Sequence, residues 1–170
     1  SLFAQTLATI IMQILRIDTE SFNAVGAALI ASIIRAKPTA NVVIATGNTP
    51  MGVYGELATL KQQGELDCSS LRVFQLDAYA NVPLDDPRSL QAWSRRSFTQ
   101  PLQIPEANFT PLIGYSENHE VACKTYHQTV VRAGGYDLAI LGLGPNGHLG
   151  FNEPPCDEHA TTRVIILTEE

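Results

Sequence analysis

Apolar positions along this chain keep two rhythms. Phe22, Val25, Leu29, Ile30, Ile33 and Ile34 recur at steps of three and four, the rhythm of one helix face. Asp18-Thr19 stands before them as a capping pair, and Pro38 closes the run, since proline cannot continue a helix. The spacing predicts a helix between these marks. Asn41-Val-Val-Ile-Ala45 is instead a short unbroken apolar run, the mark of a strand buried on both faces of a parallel sheet. Thr46-Gly-Asn-Thr-Pro50 interrupts it. Pro50 suits the first turn of a second helix, with Val53, Tyr54, Leu57 and Leu60 inward and Gly64 as its stop.

The same alternation continues. Residues 71–76 read as a strand ending at Asp77, 81–87 as a proline-rich loop, and 89–98 as a helix. Residues 101–115, with Pro101, Pro105 and Pro111, read as loop, and 117–132 as a helix ending before Gly134-Gly135. Residues 136–142 read as a buried strand, 144–155 as a glycine-rich loop, 163–168 as a last strand and 12–17 as an edge-strand-like run. Helices alternating with apolar strands predict an α/β fold with a mostly parallel sheet. Residues 12–170 are read as one domain. Residues 1–11, ahead of Met12, are read as a non-native or upstream extension. The apolar stretch 2–17 has no basic leader or A-x-A site, and it is too short to span a bilayer.

Charge narrows the partners. The formal net charge is −6 without a Lys/Arg cluster, so no nucleic acid and no membrane surface is expected as partner. A small anion remains compatible, because backbone amides at a helix start bind phosphate whatever the net charge. The 3 cysteines are far apart, with no CxxC or metal-ligand spacing, and read as reduced thiols of a cytoplasmic protein.

In an open parallel sheet, ligands bind beyond the carboxyl ends of the strands. Residues 46–50, 77–81 and 144–155 leave such ends. Thr46, Gly47, Asn48 and Thr49 offer hydroxyls, an amide and a flexible backbone at a helix start, a phosphate cradle or simply a βα turn. Asp77, directly after a strand, suits either a loop cap or a base. In Gly142-Leu-Gly-Pro-Asn-Gly-His-Leu-Gly-Phe-Asn-Glu-Pro154 the backbone can approach a small ligand, and His148 with Glu153 forms an acid/base candidate. A metal site is not expected, because no second His or Cys stands at ligand spacing.

These residues resemble a known family. The run from Gly144 to Pro154 resembles the signature of glucosamine-6-phosphate deaminases, also called isomerases. Thr46-Gly-Asn-Thr-Pro-Met-Gly52 resembles their phosphate loop, and Leu76-Asp-Ala-Tyr79 their Asp-Glu-Tyr segment. The resemblance implies a Rossmann-like three-layer fold, cleavage of an amino-sugar 6-phosphate to fructose 6-phosphate and ammonia, and no cofactor. It implies Asp77 as the base moving a proton between C2 and C1. His148 would open the sugar ring, held by Asn146 and Glu153. The partner implied is a small-molecule sugar phosphate; a homo-oligomer stays open. Asn146 stands where many members have Asp, Ala78 where Glu is usual, and Pro155 where Gly is common. Members continue past residue 168 with basic residues that complete the phosphate site. A chain ending at Glu170 is therefore expected to be incomplete at its C-terminus and to lack full activity. In members activated by N-acetylglucosamine 6-phosphate, a Ser, an Arg and a Lys bind the effector phosphate. Here Cys156, Arg163 and Ile165 hold those positions, so no activation is expected. The alternatives are a 6-phosphogluconolactonase, which shares the phosphate loop, or a non-catalytic sugar-phosphate-binding domain.

Overall fold

Asp18 caps the first helix: its carboxylate accepts the Ser21 amide proton at 2.7 Å, satisfying one of the donors a helix start leaves free. The computed structural model describes residues 12–167, so the extension assigned to residues 1–11 lies outside the described residues. Helix α1 spans Thr19–Ala36 and is followed by β1 (Asn41–Ile44), α2 (Met51–Gln62) and β2 (Arg72–Gln75). Next come α3 (Leu90–Ser94), a π-helical turn (Arg95–Thr99), a 3₁₀ turn (Glu106–Asn108), β3 (Phe109–Thr110), α4 (His119–Arg132) and β4 (Leu138–Ile140).

The strands form one four-stranded sheet in the order β3-β2-β1-β4, and every pairing is parallel. Alternation sends successive side chains to opposite faces. Val42, Ile44 and Val73 pack with Ala27, Ile30, Ile34, Tyr54 and Leu57 of α1 and α2. Val43 and Phe74 pack with Tyr126 of α4 on the other face. Both sides of the central strands are therefore covered, which is why residues 41–45 carry no polar alternation. This is the expected three-layer α/β architecture.

Five expectations need correction. Residues 12–17 are irregular and largely exposed rather than strand; among the described residues no strand pairs with them. Residues 163–167 are likewise not in a strand, because no described strand pairs with them; Thr168 lies outside the described residues. β4 is shorter than 136–142 and only half-buried, since it is the outer strand of the described sheet. Within the stretch read as loop, Phe109 and Thr110 pair with Val73 and Phe74. Two residues between prolines carry too little pattern to be read as a strand. The apolar face of α1 is also rotated: Ala27, Ile30, Ala31 and Ile34 are buried, while Phe22 and Leu29 are about half exposed.

Candidate active site

β1 and β2 end level, with Ile44 beside Gln75. Thr46 and Asp77 each lie two residues further on, so alternation brings both to the same side of adjacent strand ends. The Thr46 hydroxyl stands 3.4 Å from Asp77 Oδ1, a long and weak hydrogen bond. Asp77 is 8% exposed. Burial pushes its carboxyl up to about 6, and the Thr46 hydrogen bond offsets only part of that rise. A carboxylate whose pKa is raised that way takes up a proton more readily, which suits a base working near neutrality.

Residues 46–49 make the βα turn. Gly47 has φ +95°, a left-handed conformation that a β-carbon would strain. Gly47, Asn48 and Thr49 are exposed, and no side chain caps α2. The Met51 N–H is taken by the Asn48 carbonyl at 3.2 Å, which leaves the Gly52 and Val53 N–H groups as the first-turn donors of that helix.

The glycine-rich loop folds back on itself through antiparallel bridges joining Leu143 to Leu149 and Leu149 to Asn152. The Gly144 amide donates to the His148 carbonyl at 2.9 Å. Gly144 has no β-carbon because the His148 ring occupies that space. A β-carbon on Gly150 would lie 3.2 Å from Asp77 Oδ2, so this glycine lets the histidine loop reach the carboxylate. Phe151 stacks on Tyr79 with ring centroids 5.0 Å apart, a second tie between the two segments.

His148, Asn146 and Glu153 form one hydrogen-bonded group. Asn146 Oδ1 accepts from the His148 backbone amide at 3.1 Å and lies 2.8 Å from His148 Nδ1. That fixes the amide: its nitrogen faces and donates to Glu153 Oε2. Glu153 Oε1 also lies 3.3 Å from His148 Nδ1. With acceptors on that side, Nδ1 carries the proton. In that tautomer the Nε2 lone pair points away from Asn146 and Glu153 and is free to accept a hydrogen bond.

The structure thus brings Asp77, Thr46 and the Asn146–His148–Glu153 group to one end of the sheet. Among the described residues, no three His, Cys, Asp or Glu side chains converge as metal ligands, and no helix is long and apolar enough to cross a membrane. On the α4 side, Asp77 also borders a cavity of about 280 Å³ lined by Tyr79, Tyr126, Tyr136, Phe151 and Arg163. Two contributors escape sequence reading: the spacing role of Gly150 and the buried Gln75. For Gly150 a hint exists, since a glycine amid a histidine loop signals close backbone approach; for Gln75, inside an apolar strand, none does.

Known proteins are similar to this chain in sequence and in fold. The family model for glucosamine-6-phosphate isomerases/6-phosphogluconolactonase matches residues 19–164. The glucosamine-6-phosphate deaminase of Halothermothrix orenii is 41% identical over 145 residues, 85% of this chain and 60% of its own length. That of Clostridium botulinum strain Loch Maree is 36% identical over 160 residues, 94% of this chain and 66% of its own. The chain therefore spans about three-fifths to two-thirds of the length of these curated relatives. A solved monomeric glucosamine-6-phosphate deaminase superposes with a TM-score of 0.89 at 33% identity, covering 93% of this chain and 66% of that one. The 6-phosphogluconolactonase of Thermotoga maritima superposes less closely, with a TM-score of 0.64 at 28% identity over 76% of this chain and 59% of that one.

Proposed function

Because the chain belongs to the glucosamine-6-phosphate isomerase/6-phosphogluconolactonase family, we propose that it acts in converting glucosamine 6-phosphate and water to fructose 6-phosphate and ammonia. The observation that supports this most is Asp77, a buried carboxylate at a strand's carboxyl end with the histidine loop packed against its Oδ2. Lactone hydrolysis needs a base for water only. An aldose–ketose shift needs a second base near carbon, and Asp77 supplies one.

In this reading the loop of Thr46, Gly47, Asn48 and Thr49, with the uncapped start of α2, receives the phosphate. His148 Nε2 takes the proton of the C1 hydroxyl and returns one to the ring oxygen, opening the sugar. Asn146 and Glu153 hold the ring in the required tautomer and stabilise the transient imidazolium. Asp77 then removes the C2 proton and delivers it to C1, while the aldehyde oxygen gains a proton and the ammonium nitrogen loses one, leaving a C2 imine that water hydrolyses to ketone and ammonia. In this reading the protein is a cytoplasmic enzyme of amino-sugar catabolism.

The test is ammonia release from glucosamine 6-phosphate by the full-length protein, beside hydrolysis of 6-phosphogluconolactone. Asp77 works only when ionised. The plot of kcat/KM against pH is therefore expected to fall tenfold per unit below about 6, the value to which burial pushes its carboxyl. Lactone turnover without ammonia release would overturn the deaminase reading, and an acid limb near 4 would overturn Asp77 as the base.

Activation by N-acetylglucosamine 6-phosphate is expected to be absent. Cys156 and Ile165 offer no charge-assisted bond to an effector phosphate, and the remaining Arg163 guanidinium lies 3.3 Å from Cys156 Sγ. An effector lacking differential contact between states shifts nothing. Velocity curves with and without the acetylated sugar phosphate should coincide; a sigmoidal curve made hyperbolic by it would show the opposite.

A further inference from the structure

Gln75 is the last residue of β2 and is fully buried, with 0% exposure. Its Nε2 donates to the Asp77 carbonyl oxygen at 2.7 Å, but among the described residues its Oε1 has no hydrogen-bond partner. A buried polar atom left unpaired costs roughly 1–3 kcal/mol. An apolar side chain of similar volume would fill this strand position without that cost, so stability does not explain the amide.

The register supplies the reason. β3 pairs only with Val73 and Phe74, so beyond Phe74 that flank of β2 has no ladder. The Gln75 carbonyl is taken instead by the Tyr126 hydroxyl at 2.5 Å. On the β1 side, the last tie is the Leu76 amide to the Ile44 carbonyl at 3.2 Å. Asp77 thus stands two residues past β2 and one past this last backbone tie. Among the described residues its carboxylate has only one hydrogen bond, the long one to Thr46, and its peptide carbonyl is held by the Gln75 amide.

We propose that Gln75 is a positioning residue for Asp77: its side-chain amide fixes the Asp77 peptide and so aims the carboxylate. Proton transfer between adjacent carbons requires one carboxylate to address both, and misplacement by about 1 Å costs on the order of a hundredfold. The proposal rests on Asp77 being the base.

The test is Gln75→Met in the full-length protein, which keeps the volume and removes the donor. The expected result is a kcat lower by about ten- to a hundredfold, KM within about twofold because the phosphate loop is untouched, and an undiminished Tm. Gln75→Glu places an acceptor there and a second negative charge near Asp77, so the acid limb of kcat/KM should move to higher pH. Should Gln75→Met not fold, Gln75→Asn, one methylene too short to reach the Asp77 carbonyl, is read in the same way. Wild-type kcat, or a loss of kcat fully tracked by loss of Tm, overturns the proposal. Asp77→Asn run in parallel separates the two levels. If it keeps activity, the base assignment and this proposal both fall; if it is inactive while Gln75→Met turns over normally, only this proposal falls.

Discussion

Asp77→Asn should abolish isomerisation and stabilise the fold in the same stroke. General-base catalysis contributes about 10²–10⁴-fold, and an amide cannot accept the C2 proton, so kcat should drop by at least the upper part of that range. Sugar-phosphate binding should persist, since the phosphate loop and α2 start are unaltered. Deuterium exchange at C2 is the direct readout: exchange at the wild-type rate would remove Asp77 from the mechanism.

The stability half follows from linkage. The folded-state carboxyl of Asp77 sits at about 6 instead of 3.8, so the fold binds its proton more tightly than the unfolded chain does. Its favourable contribution is complete below about 4 and lost as pH rises through about 6. Above that, the native state carries a desolvated anion, a cost of at most about 3 kcal/mol for a shift of this size. Asn carries no such charge. The variant's Tm should therefore exceed the wild type's at pH 8, and the gap should close towards pH 4. A base that is costly to keep ionised is also one that keeps its proton long enough to hand it on.

What the sequence makes legible, and what it hides, divides along physical lines. The unbroken run at 41–45 and the helical spacing of 53–60 reveal β1 and α2, because burial on two faces or one leaves a periodic trace. The position of Asp77 follows from the end of the next apolar run. The Asn146–His148–Glu153 group is visible as a motif, and its hydrogen bonds span seven residues or fewer, a range over which local chain geometry suffices. The Gln75 amide also bonds locally, two residues on, yet nothing marks it. Its role depends on where β3 stops pairing, a long-range fact. The false strands at 12–17 and 163–167 teach the same lesson: strand propensity is realised only where a neighbouring edge offers a ladder.

Gly144→Ala is the smallest change expected to disable the histidine. Gly144 does not need glycine for its own backbone, since its φ is not in the left-handed region. Alanine can therefore adopt the loop conformation, and the sole obstacle is that the new methyl would occupy the space of the His148 ring. The ring can move, but only by giving up its 2.8 Å contact with Asn146 and its 3.3 Å approach to Glu153. Those contacts fix the Nδ1–H tautomer and aim Nε2, so losing them removes both the protonation state and the direction of the ring-opening group. A shift of about 1 Å is worth on the order of a hundredfold in kcat. The loop is largely exposed, so Tm should change by no more than a surface substitution allows, about 0.5 kcal/mol in stability. Two measurements check this: kcat for ammonia release, and the imidazole ¹⁵N spectrum, in which the protonated Nδ1 signal of His148 should be replaced by a tautomer mixture. A variant with the wild-type spectrum and wild-type kcat would show that the methyl is accommodated and that the close approach of Gly144 to His148 plays no part in turnover.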